Sequence, residues 1–390
     1  MPASGRTLWP DASQLVDLRQ HPCLPEGKVL YIQSGDPGDF DGYLIGVAGQ
    51  VVAANTKDMM YALVVPERRA CPDRAEADVN KHDEAFSEEV MRVSGCLFRQ
   101  LCPDATIVRG PLNKRNVIPL KFIFNELDKY GPVTHTPADP CVPVNWKSVR
   151  DLAAVVNRDD VTSLVIDVNG SIGYLQLLMP LCPKLGVKLK ASGMPVTIMA
   201  GVLAELESTT LRLPGRDPRS TMNALYHADA IRTMLDEASK HSVPLLFVTN
   251  NVCNAMLKFD DADELVKSMS LVGLLQQLAE AWYGPHLHGK CVPFDWVSFT
   301  AMLAHGRFPG LLRMETRQLY VGEQDASVLV LKDPNGKPSA TVEENLLDTK
   351  LWGSVESLVS VDRTAMLELA RLVSHSAHAR SSDKNNGHTS

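Results

Sequence analysis

Apolar residues fall along this chain in short runs without alternation, the later ones ending in Gly, Asn or Asp, with longer stretches of helical period between them. The runs are KVLYIQ (28–33), YALVV (61–65), ATIVRG (105–110), SLVIDVNG (163–170), VTIMAG (196–201) and PLLFVTNN (244–251). Several are rich in β-branched residues, the pattern of a strand covered on both faces. Helices are predicted for DGYLIGVAGQVVAAN, ALYHADAIRTMLDEASKH and VKSMSLVGLLQQLAEAWY (266–283). FSEEVMRVSGCLFRQLC places Ser87 ahead of Glu88 and Glu89 and then apolar residues at helical spacing, which predicts an N-capped amphipathic helix. The charged stretch PERRACPDRAEADVNKHDEA predicts a loop or insertion. Strands alternating with helices predict an α/β fold with a mostly parallel central sheet flanked by helices, a Rossmann-like core. No repeat and no shift of composition divides the chain. Residues 1–27 therefore form an irregular lead-in, 28–373 one large domain, and the polar stretch 374–390 a disordered tail.

With 390 residues, 45% of them hydrophobic, the chain can bury a core without a disulfide or metal to staple it. The net charge of -7 argues against non-specific nucleic-acid binding, which depends on Lys and Arg contacts to phosphate. No stretch approaches the roughly 20 apolar residues that span a membrane. The opening MPASGRTLWPDAS has no apolar core of a secretory signal. The eight cysteines (Cys23, Cys71, Cys96, Cys102, Cys141, Cys182, Cys253 and Cys291) include no Cys-x-x-Cys pair, so they read as mostly buried free thiols in a reducing, cytoplasmic setting. A small-molecule ligand is the expected partner, with neither nucleic acid nor membrane.

The chemistry concentrates in YIQSGDPGDFDGYLIG (31–46), where Asp36, Asp39 and Asp41 follow a buried strand. Open α/β sheets bind ligands at the carboxyl ends of their strands. Pro37 and Gly38 allow a tight turn that folds the carboxylates toward one point. Crowded like charges need a cation or proton to neutralise them, and oxygen-only ligands suit Ca²⁺ or Mg²⁺. The alternative is an Asp-rich surface turn that caps the next helix.

KVLYIQSGDPGDFDGYLIG resembles the N-terminal metal loop of the inosine-uridine-preferring nucleoside hydrolases, a strand followed by Asp-x-Asp-Pro-Gly-x-Asp-Asp-Ala. The resemblance continues in order through ATIVRGPLNK, SLVIDVNGSIGYL, VTIMAGV, STMNALYHADAIRTML and VPFDWVSFTAML, spanning residues 28 to 304. It implies that Asp36 is both metal ligand and general base. It implies that Asp41, the Gly173 carbonyl and Asp295 complete a Ca²⁺ shell, and that Asn223 binds the sugar. The family activity is hydrolysis of the N-glycosidic bond of a nucleoside in purine and pyrimidine salvage, by homodimers or homotetramers.

Four positions depart from the family pattern. Ser34 replaces the first aspartate, Phe40 the aspartate that binds sugar hydroxyls, Thr221 a glutamate, and Phe294 a histidine associated with leaving-group protonation. Phe40 can accept no hydrogen bond; Asp39 beside it turns inward in its place or simply faces solvent. Phe294 stacks on a base or belongs to the core. In WYGPHLHGKCVPFD, His288 or its neighbour His286 is the candidate proton donor, with a surface-loop role as the alternative. The His-x-His pair lacks a third ligand at zinc spacing, although Cys291 lies nearby. Arg68 and Arg69 point either to a phosphorylated or acidic substrate or to a solvated surface, and NGSIG (169–173) lacks the Lys-Ser/Thr of a P-loop. Two readings follow: a metal-dependent N-glycosyl hydrolase with a shifted substrate range, and a catalytically impaired binding or sensor protein that keeps the metal site.

Overall fold

A computed structural model describes residues 16–37, 40–71, 84–119, 144–206, 217–256, 294–308 and 312–362, with positions 275, 278, 366, 369, 371 and 373. Strand β1 (Lys28–Ser34) lies third from one edge of the sheet, and every residue after Lys28 in it is buried. That burial is what an apolar run without alternation requires, and each of Leu30 and Ile32 contributes roughly 1.5–3 kcal/mol by leaving water. Strands β2 (Met59–Cys71), β3 (Thr106–Pro119), β4 (Val161–Val168), β5 (Val196–Met199), β6 (Val202–Leu203), β7 (Leu245–Val248), β8 (Leu312–Gly322), β9 (Leu329–Lys332) and β10 (Thr349–Val361) complete one ten-stranded sheet. The order is β3-β2-β1-β4-β5-β7-β10-β8-β9-β6. Pairing is parallel from β3 across to β10 and antiparallel at β10–β8 and β8–β9.

The chain leaves β1 toward β2 and β3 on one side and reaches β4 and β5 on the other. The strand order therefore reverses between β1 and β4, in register at Tyr31 with Val165 and Ser34 with Val168. The crevice at the carboxyl ends of these two strands is the place such sheets bind ligands. Helix α1 (Phe40–Asn55) leads away from it, buried on nearly every face. It packs against β2, helix α2 (Glu84–Leu101) and helix α9 (Phe294–Ala304). Between them in sequence lie α3 (Val149–Val156), α4 (Gly173–Leu178), α5 (Leu185–Ser192), α6 (Met222–Tyr226), α7 (Ala228–His241) and α8 (Asn250–Met256), followed after β9 by α10 (Ala340–Asn345).

Several expectations change. Helix α2 starts at Glu84, so Ser87 lies inside it and is buried rather than capping its end. PERRAC continues β2, because its backbone pairs with β3 from Glu67↔Leu112 to Cys71↔Pro119, and Arg109 on β3 bonds Glu67 at 2.8 Å. The helix expected over ALYHADAIRTMLDEASKH is two helices, broken at His227, whose φ of -146° and ψ of 67° are not helical. Cys96 is disulfide-bonded, whereas Cys23, Cys102, Cys182 and Cys253 are free and Cys23 is exposed. The location argument that rested on free buried thiols loses that support. The helix expected over 266–283 lies outside the described residues except for Leu275 and Leu278, both helical, and 374–390 lies wholly outside them. No helix among the described residues is long and apolar enough to cross a membrane.

Candidate active site

The ends of β1 and β4 are tied together where the strand order reverses: the Gly170 N–H donates to Ser34 Oγ at 3.2 Å. Two residues past the end of β1 stands Asp36, buried at 6% exposure. Glycines press on it from two sides. A Cβ on Gly170 would lie 2.5 Å from Asp36 Oδ1, and one on Gly42, in the first turn of α1, would lie 2.5 Å from the Asp36 carbonyl oxygen. Asp41 is buried in the same first turn, where the positive end of the helix dipole favours a carboxylate.

Asp295 occupies the first turn of α9 and is also buried. Its backbone N–H donates to Asp41 Oδ2 at 3.2 Å, joining positions 254 residues apart. Cys253 on α8 lies close enough to feel both acids. Burial first, then the Asp295 and Asp41 charges, push its thiol far above the ordinary range. The fold thus puts Asp41 and Asp295 in direct contact, with Asp36 beside the first turn of α1 that carries Asp41. Among the described residues, no group of three or more His, Cys, Asp or Glu side chains is arranged to hold a metal ion.

The expected sugar-side residues are distributed unevenly. Asn223 on α6 is buried, and its Nδ2 donates to the carbonyls of Asn169 at 2.5 Å and Met199 at 3.2 Å. This anchors α6 to the ends of β4 and β5. Gly173 opens α4, and a Cβ there would lie 2.5 Å from Nε2 of His227, so the buried imidazole occupies the space a side chain at 173 would take. Thr221 is buried, and its Oγ1 accepts from the Gly201 N–H at 3.4 Å. Phe40 is 1% exposed and belongs to the apolar core; Phe294 is half-buried against that core. Asp39, His286 and His288 lie outside the described residues, as do the side chains of Arg68 and Arg69.

No protein-family model matches the sequence, and no curated protein matches it. Solved structures do. The chain is similar to an inosine-uridine preferring nucleoside hydrolase from Bacillus anthracis, with a TM-score of 0.57 at 13% identity over 90% of this chain and 99% of that one. It is similar to an inosine-guanosine nucleoside hydrolase, with a TM-score of 0.56 at 17% identity over 89% and 99%. A purine-preferring ribonucleoside hydrolase from Gardnerella vaginalis gives 0.55 at 15% identity over 90% and 99%. The fold is that of the nucleoside hydrolases.

Beneath the mouth of this nucleoside hydrolase fold lies a polar layer that sequence patterning misses. Asp167, next to last in β4, is fully buried. It accepts hydrogen bonds from Asn169 Nδ2 (2.7 Å), Gln33 Nε2 (3.1 Å), Ser298 Oγ (3.4 Å) and Tyr31 Oη (3.5 Å). Burial pushes its carboxyl up to about 6, against the opposing pull of these donors. Its one visible signal in the sequence is a charge inside the apolar run SLVIDV. Its partners Gln33 and Ser298, 134 and 131 residues away, carry no local signal. His227 likewise reads as an ordinary helical residue until the break in the helix is seen.

Proposed function

We propose that the protein is a metal-dependent hydrolase of the N-glycosidic bond of a nucleoside or related ribosyl compound. The observation that carries this is the bond from the Asp295 N–H to Asp41 Oδ2, which brings two widely separated acids together beside Asp36 at the strand-order reversal. Nucleoside hydrolase folds covering 99% of their own lengths support the same reading.

Carboxylates buried this deeply are costly unless neutralised, and an all-oxygen donor set is the kind a hard cation takes. Asp36, Asp41, Asp295 and the Gly173 carbonyl are the groups that would hold Ca²⁺, the three acids drawing closer together on binding than they stand here. Bound there, a divalent cation would make a water more acidic and a better nucleophile near neutral pH. Asp36 is the proposed general base toward the attacking water. Asn223 orients the sugar while positive charge develops at its anomeric carbon in an oxocarbenium-like transition state. His288 is the proposed donor to the departing base. Asp39 and Phe294 are proposed to face the ligand, the latter by stacking. The same reading takes the protein to be a homodimer or homotetramer.

Two observations favour the second reading, a binding or sensor protein. Phe40 is packed into the core and offers no hydrogen bond to a sugar, and the Thr221 hydroxyl oxygen is engaged by the Gly201 amide. The deciding experiment is Ca²⁺-dependent release of reducing sugar from a panel of purine and pyrimidine nucleosides and nucleotides, with Asp36→Ala beside wild type. Release that disappears in the variant supports the hydrolase. No release from any compound, with Ca²⁺ binding demonstrated by calorimetry, overturns it in favour of the binding protein.

A further inference from the structure

We infer that Asp167 is a positioning residue of the candidate site: it fixes the Asn169 amide and, through the Asn169 backbone, the seat of Asn223. The inference rests on the ribosyl-binding reading of Asn223 given above.

Asp167 joins the elements that carry the site. Gln33 and Tyr31 reach it from β1, the strand that delivers Asp36, and Gln33 is held on its far side by Tyr61 Oη at 2.7 Å. Ser298 reaches it from α9, three residues after Asp295. Asn169 reaches it from the end of β4. All four donors point at the carboxylate, which suits a group that, when ionised, can only accept.

The fold alone gives no reason for this residue. Its neighbours Leu164, Val165, Ile166 and Val168 are apolar and buried. A carboxylate among them costs stability relative to a hydrophobic residue of similar volume. What Asp167 supplies is direction. Asn169 Nδ2 is bound to it at 2.7 Å, while Asn169 Oδ1 is buried with no hydrogen-bond donor among the described residues. Asp167 is therefore the one described group that sets which way this amide faces. The backbone carbonyl of the same residue accepts Asn223 Nδ2 at 2.5 Å, beside the Met199 carbonyl at 3.2 Å, so Asp167, by pinning the Asn169 side chain, restrains the backbone on which Asn223 sits.

The test compares wild type with Asp167→Leu, Asp167→Asn and Asn169→Ala, using protein labelled with ¹⁵N in asparagine side chains. In wild type the Asn223 amide protons exchange slowly with solvent. In Asp167→Leu they exchange about tenfold faster or more, the size expected for losing one hydrogen bond to a charged group. Asp167→Asn, which keeps one acceptor, falls between, and it carries the comparison alone if the leucine variant does not fold. In the Asn169→Ala background either change at 167 adds less than about twofold, because the connecting side chain is gone. Unchanged Asn223 exchange in every 167 variant overturns the inference. In parallel, ribose release from inosine and uridine should show KM raised about tenfold with kcat within about threefold in Asp167→Asn. An unchanged KM alongside faster Asn223 exchange overturns the ligand-positioning role. If wild type releases no ribose, the hydrolase reading fails by itself, and the exchange measurement still decides whether Asp167 seats Asn223.

Discussion

Gly170 and Asp36 meet so closely that a Cβ on the glycine would lie 2.5 Å from Oδ1 and 3.1 Å from Cγ of the carboxylate. The requirement is for space, since Gly170 is absent from the glycines with positive φ. Gly353, on β10, has nothing within 4 Å of the same construction. Gly170→Ala should therefore cost about 1–3 kcal/mol by overpacking and shift the Asp36 carboxylate, whereas Gly353→Ala should cost much less. Urea denaturation of the two variants checks this. Equal stability would mean that the loop bearing Asp36 yields freely.

Gly173 and His227 form a second pair of this kind, with the imidazole in the space a side chain at 173 would need. Gly173→Ala should destabilise by about 1–3 kcal/mol. His227→Ala removes the obstructing ring, so the double variant should be more stable than the sum of the two losses predicts, by about 0.5 kcal/mol or more. Strict additivity in thermal or urea unfolding would show that the ring has room to move.

How far the sequence could be read depended on the range of the interactions involved. β1, β4 and β7 were legible because burial on both faces needs nothing but an uninterrupted apolar run. β8 and β10 were not, because mixed burial leaves charges such as Arg313, Glu315 and Arg317 inside a strand. Asp36, Asp41 and Asp295 could be named from a resemblance, but the amide that links Asp295 to Asp41 spans 254 residues and leaves no local trace. The layer around Asp167 escaped for the same reason. The Ser87 cap failed because a helix can begin a turn before a plausible cap and leave it facing the core.

Two buried groups should tilt stability in opposite directions with pH. His21 donates from Nε2 to the His305 carbonyl at 2.8 Å and accepts the Cys23 N–H at Nδ1, so it is held neutral. Burial foremost brings it down from 6.5 to about 4. The unfolded chain takes up that proton first, so the stability His21 contributes is present above about pH 6.5 and is lost as pH falls toward 4. Asp167 is raised from 3.8 to about 6, so the folded chain keeps a proton the unfolded chain releases, and stability falls as pH rises through that window. Relative to wild type, Asp167→Asn should gain stability between pH 4 and 6, by up to about 3 kcal/mol. His21→Gln should lose ground over the same range. Urea midpoints at half-unit pH steps measure both. Slopes parallel to wild type in both variants would remove these two groups from the pH response.

Calcium should report on the acids without any substrate. A ligand that binds only the folded state stabilises it by RT ln(1 + [L]/Kd), about 2.7 kcal/mol at a hundredfold excess over Kd. Wild type should therefore show a Tm that climbs with added Ca²⁺ and returns to its starting value with chelator. Asp41→Asn keeps an oxygen that can still accept the Asp295 amide now 3.2 Å from Oδ2, so the fold should survive while one negative charge is lost. Its Tm without calcium should lie near or above that of wild type, because a buried charge has been removed, and its response to calcium should shrink sharply. Asp36→Asn should behave in the same way, and Asp167→Asn should respond as wild type does, because Asp167 lies outside the proposed ligand set. If Asp167→Asn loses the calcium response while Asp36→Asn and Asp41→Asn keep it, the cation sits in the buried polar layer and the assignment of ligands is wrong.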